Sequence, residues 1–159
     1  MDAGDARRVA IMLWESEETQ AAARRILEPH AARLLGPHWA VPAKIVYQGS
    51  VAADDLGKEA TYAIIRESTV QPEATKGYDA ASAEFVTILA QQPGYRGTMA
   101  VNAGDGRRAR VVLWEDEAAS TASSLVMPAH SERLLQPHRT GPSTIVYQGS
   151  VVSDDRITH

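Results

Sequence analysis

The sequence predicts an α+β fold: one complete ferredoxin-like βαββαβ module, preceded by a second copy of that module's last half (βαβ). Three observations predict it. The first is an internal repeat at an offset of 100 residues without a gap, in which 26 of the 55 pairs between 1–55 and 101–155 are identical. The second is apolar/polar alternation of period two in short segments bounded by turn residues, the mark of half-buried strands. The third is helical spacing of apolar residues in the stretches between those segments. Residues 56–100 have no earlier counterpart, so the sequence divides into a partial module at 1–55 and a complete module at 60–155.

In the partial module, residues 6–14 alternate as a strand, with Val9, Ile11 and Leu13 on one face and Ala10, Met12 and Trp14 on the other. Ser16 is a candidate N-cap for a helix whose stripe is Ala22, Ala23, Ile26 and Leu27. Pro29 suits the first turn of a new helix better than the interior of an old one, so a second short helix is expected up to Gly36-Pro37. Lys44 to Ala52, rich in Ile, Val and Tyr, reads as a strand.

In the complete module, Thr61 to Thr69 alternates as a strand. A helix over about 74–91 carries the stripe Tyr78, Ala81, Phe85, Ile88 and Leu89 until Pro93-Gly94 stops it. Tyr95 to Val101 is a strand, residues 102–106 form a hairpin turn and 107–114 the next strand. Helices at about 117–127 and 129–136 and a strand at 143–152 repeat the pattern of the first copy. Half-buried strands joined by crossover helices give an antiparallel sheet with helices on one face. Val112 and Trp114 are expected on the sheet's other face, which then needs a second sheet, from the partial module or a second chain, to cover it.

Composition narrows the function. The formal net charge is −4 and the basic residues are scattered, which argues against nucleic acid as a partner. There is no cysteine, so disulfides and thiolate metal sites are excluded. No apolar run is long enough to span a bilayer and the first residues are acidic rather than a signal peptide; a soluble cytoplasmic protein is expected. No His/Asp/Glu cluster has metal-ligand spacing, so no metal is expected.

Several residues stand out chemically. Arg110 shares a strand face with Trp114, and a charge directed into an apolar interior is costly unless paired. Such a guanidinium can hold a phenolate, enolate or carboxylate. His130, which repeats His30, could act as a base near neutral pH, and equally suits a helix cap. Tyr62 and Arg66 share a face of the module's first strand and Tyr147 lies on its last; each is a candidate pocket-lining residue. Arg107 and Arg108 are expected as a solvated strand end.

Residues 60–155 resemble the antibiotic biosynthesis monooxygenase domain, a member of the dimeric α+β barrel superfamily. The resemblance rests on Phe85 to Gly97 (a helix end, then Pro-Gly-Tyr), the Asp105-Gly106 turn and Val112-Leu113-Trp114-Glu115-Asp116-Glu117-Ala118. Residues 1–55 resemble the second half of that domain. The resemblance implies that two sheets close into a barrel, usually in a homodimer, with a pocket between sheet and helices. Some members oxidise aromatic polyketide-type substrates with molecular oxygen and no cofactor, which is the leading expectation here; others degrade haem, oxidise quinol-type substrates or have no demonstrated activity, and fold alone does not choose among these. It places Trp114, with Val112 and the repeated Trp14, along that pocket, and Arg110 where members that oxidise polyketides usually carry asparagine. Haem-degrading members place a histidine about ten residues after the tryptophan, where this chain has Ser124 and Arg24. The other reading is a non-catalytic ligand-binding or assembly protein of the same superfamily.

Overall fold

A computed structural model of the protein describes residues 8–34, 36–38, 48–55 and 59–151. The chain divides into two compact units, 1–46 and 47–159.

Among the described residues the first unit holds one α-helix, α1 (Glu17–Leu34), followed by a 3-10 turn at Gly36–His38. Ser16 caps it as the sequence predicts: its Oγ accepts the Thr19 amide at 3.1 Å, while Thr19 Oγ1 accepts the Ser16 amide at 3.0 Å. Two expectations fail here. Pro29 lies inside α1 and does not divide it. A proline costs one intrahelical hydrogen bond and some strain, and in a helix with no buried residue the freed carbonyl is left to water. Residues 8–14 form no strand, and Val9, Ile11, Met12 and Leu13 are exposed. Period-two patterning marks a segment fit for a sheet, but a strand exists only when a neighbour completes its ladder.

The second unit contains a single five-stranded antiparallel sheet, among the described residues, in the order β1-β3-β4-β2-β5. Its strands are β1 (Ser50–Asp55), β2 (Tyr62–Thr69), β3 (Tyr95–Asn102), β4 (Arg107–Trp114) and β5 (Thr144–Ser150). Helix α2 (Thr75–Leu89) joins β2 to β3, while α3 (Glu117–Ser123) and α4 (Met127–Leu134) join β4 to β5. From β2 onward this is the predicted βαββαβ module. The last strand of the first repeat copy lies later than expected: residues 44–47 are outside the described residues, and β1 adds to the free edge of β3, pairing Val51 with Val101 and Asp55 with Thr98. The strand read as the end of the partial module therefore belongs to the second unit's sheet.

Local signals explain the element ends. Gly94, at φ +74°, turns the chain from α2 into β3. Gly104 and Gly106 take φ of +85° and +83° in the β3–β4 turn, and the Asn102 side chain accepts the Gly104 amide at 2.9 Å. Asp116 caps α3, its carboxylate accepting the Ala119 amide at 2.8 Å. Pro128 lies in the first turn of α4, the position a proline favours. No helix among the described residues is long and apolar enough to cross a membrane.

The two sheet faces carry separate cores. Tyr62, Val112, Trp114 and Tyr95 meet Tyr78, Phe85 and Leu89 of α2, with Met127 and Leu135 beyond. Ile65, Met99, Val111 and Leu113 form the opposite core, with Tyr147 packed against it. Val112 and Trp114 thus face the helices and not the far side. Alternation separates two faces but does not say which one the helices cover; the hand of the β2-α2-β3 crossover decides that.

Candidate functional site

The site lies between α2 and the strands β3 and β4. Along α2 the buried positions are Tyr78, Ser82, Phe85 and Leu89, spaced i, i+4, i+7, i+11. One of the four is a serine, and beside it Ala83 adds a second small residue. Opposite them β3 contributes Ala100, the register partner of Arg110, while Ala109 borders the cleft from β4 with its side chain on the sheet's other face. Small side chains on both sides leave a cleft of about 380 Å³ that helix and sheet do not fill. Ligand clefts commonly measure about 300–1,000 Å³.

Two arginines of β4 line this cleft. Arg110, 8% exposed, is the register partner of Ala100 on one side and of Arg66 on the other. Its Nη2 donates to Ser82 Oγ, and its guanidinium carbon lies 5.8 Å from the centre of the Phe85 ring. Arg108, 6% exposed, lies two residues earlier on the same face, with Nη2 3.8 Å from the Asp79 carboxylate. The expectation of a solvated end fails for Arg108. β4 is a central strand, so a residue near its start is still covered by α2 and by its neighbours.

The electrostatics are lopsided. Burial pushes the Arg110 guanidinium below its ordinary range, while the Tyr78 hydroxyl partly restores it. Arg66 is lowered by burial and then by the charge of Arg139, whose guanidinium lies 5.9 Å from the Tyr78 ring centre. For Tyr78, burial alone raises the hydroxyl. The Ser68 hydrogen bond at 3.4 Å and the charges of Arg110 and Arg139 outweigh it, and the net direction is down. Two guanidinium groups, those of Arg110 and Arg139, thus act on one phenol. Among the described residues no group of three or more His, Asp or Glu could hold a metal ion.

Of the residues singled out from sequence, Arg110 lines the cleft. Trp114, 3% exposed, lies in the helix-side core with Val112 and Tyr62, its ring edge-on to Tyr95 with centroids 6.1 Å apart. Arg66 is half-buried beside Arg110. His130 is half-buried on α4. Tyr147 packs on the opposite face of the sheet from Arg110. Trp14 belongs to the first unit and is 38% exposed. Sequence reasoning missed Arg108, Tyr78 and Ser82. The available signal for Arg108 was its parity with Arg110, and for Ser82 its place as a polar break in the apolar stripe of α2.

Comparison with solved structures places the fold. A candidate monooxygenase from Fusobacterium nucleatum superposes with a TM-score of 0.65 at 10% identity, over 86% of this chain and 68% of its own. One from Lactobacillus acidophilus gives 0.64 at 8% identity, over 89% and 72%. A candidate antibiotic biosynthesis monooxygenase from Nitrosomonas europaea gives 0.51 at 13% identity, over 58% and 99%. The fold is that of the antibiotic biosynthesis monooxygenase proteins. No family model and no curated protein matches the chain. At these identities the likeness is one of fold, and the function must be argued from the site.

Proposed function

We propose that this chain is a monooxygenase-like enzyme acting without a cofactor on an aromatic, polyketide-type substrate. The observation that carries the reading is the buried, charged Arg110 at the edge of a mostly apolar cleft. The monooxygenase-like fold supports it.

The chemistry is substrate-assisted. An electron-rich phenol or anthrone loses a proton, and its anion lies against Arg110, where charge-assisted hydrogen bonds favour the anion over the neutral form. Burial of the guanidinium strengthens that attraction. The anion passes one electron to molecular oxygen, and the two radicals join to form a carbon–oxygen bond. The resulting peroxide is protonated and loses water, leaving a carbonyl. One oxygen atom enters the product and the other leaves as water, the ring methylene being the reductant. The protein's part is to hold the anion and shape the cleft; Arg110 is the residue assigned to that part.

The test is incubation of the purified chain with anthrone-type and quinol substrates in air, with a chelator present, following product absorbance and oxygen uptake. One oxygen consumed per carbonyl formed, with turnover falling at least about tenfold in Arg110→Ala, is the expected result. No turnover on any substrate, or full turnover in the variant, overturns the reading.

A further inference from the structure

Arg108 and Arg110 have more hydrogen-bonding capacity than the chain satisfies. Nε and Nη1 of Arg108 and Nη1 of Arg110 are buried and have no partner among the described residues. Leaving a buried donor unpaired costs about 1–3 kcal/mol, and more for a charged group. The two side chains also leave the same face of one strand about 7 Å apart, so their charges repel. The one acid paired with either, among the described residues, is Asp79, 3.8 Å from Arg108 Nη2 and itself largely exposed. Arg66 and Arg139 add positive charge nearby and no acid. Ser82 and the Tyr78 hydroxyl act on Arg110, and beyond them the cleft is short of negative charge and of acceptor atoms at the same place.

We propose that the cleft is an oxyanion site, in which Arg108 and Arg110 together clamp a carboxylate carried by an aromatic ligand. A planar two-oxygen group matches the guanidinium fork and can accept from both arginines. Ala83, Val86 and Ala100 supply the apolar wall that a ring needs and a bare inorganic anion would not use. This deepens the oxygenase reading by giving its substrate an acidic group in addition to the ring that reacts.

The test is calorimetric titration of the full chain with three probes: naphthoate, naphthyl methanol and inorganic phosphate. Naphthoate is expected to bind at least about tenfold more tightly than the alcohol, with that advantage shrinking as salt is raised. Arg108→Met and Arg110→Met should each remove the advantage while alcohol binding stays near that of the parent chain. Arg108→Lys, which keeps the charge and loses the fork, should retain part of it. Equal binding of acid and alcohol overturns the proposal, and needs no variant to be seen. Phosphate binding as tightly as naphthoate overturns the aromatic carboxylate in favour of a plain anion. An unchanged preference in folded Arg108→Met removes Arg108 from the site. Tight naphthoate binding without turnover of any substrate sinks the oxygenase reading alone; turnover with no preference for the acid sinks the clamp alone.

Discussion

Arg110→Met separates an arginine kept for binding from one kept for stability. In the folded chain this guanidinium donates to Ser82, lies over Phe85 and leaves Nη1 without a partner. Methionine forfeits the hydrogen bond, about 1.5–3 kcal/mol for a charged donor, and the ring contact, about 0.5–2 kcal/mol. Against that stand the desolvation of the buried charge, several kcal/mol, and the unpaired nitrogen, about 1–3 kcal/mol. Methionine also buries apolar surface that favours the folded state by about 1.5–3 kcal/mol. Because desolvation is the largest of these quantities, stability should stay level or rise, by up to about 4 kcal/mol, the range seen when buried ionic groups are replaced by apolar side chains of similar volume. Urea denaturation with the midpoint and slope fitted separately measures it. A loss above about 3 kcal/mol is what removal of one partner from a satisfied buried ion pair produces. That result would refute the assignment of Arg110 to ligand binding.

Other positions give independent checks. Gly94→Ala should cost about 1–3 kcal/mol, because φ is +74° there and an added Cβ would lie 2.4 Å from that of Ala119; an unchanged denaturation midpoint would contradict the turn geometry. Asp116→Ala should lower stability by about 0.5–2 kcal/mol through loss of the α3 cap, with Asp116→Asn recovering most of it. Tyr78 carries a pH signature. Its folded pKa lies below the ordinary 10.0, so its contribution to stability is fully present above pH 10.0 and is lost as pH falls through the lower folded value. Stability measured against pH should therefore show an alkaline gain that Tyr78→Phe abolishes. The same curve in parent and variant would mean that the arginines do not act on the phenol.

Much of the complete module was legible in the sequence. The alternation around Tyr62, the stripe from Tyr78 to Leu89 and the Gly-rich turn at 104–106 fixed β2, α2 and the β3–β4 hairpin to within a residue or two, because each has a strong local period and a clear stop. The partial module was less legible, and the repeat shows why. Residues 8–14 match 108–114 in Arg8, Leu13 and Trp14, yet β4 is a strand flanked on both sides and its counterpart is not a strand. Identical patterns meet different neighbours, and hydrogen-bond ladders are made by neighbours. The proline contrast has a similar origin: Pro29 and Pro128 are offset by one position in the repeat, and α1 runs through the first while α4 begins at the second.

From the sequence alone came the order of elements in the complete module, the internal repeat, the absence of cysteine and the singling out of Arg110 as a charge on an apolar strand face. Those are properties of period, composition and parity, which a chain carries before it folds. The tertiary structure decided which face of β4 the helices cover, and with it the burial of Arg108, the core position of Trp114 and the separation of Tyr147 from the cleft. It also decided that small residues distant in sequence, Ser82 and Ala83 against Ala100, leave a cleft beside two arginines. The reason is geometric: alternation names two faces without ranking them, and only the crossover of α2 over the sheet makes one the inside.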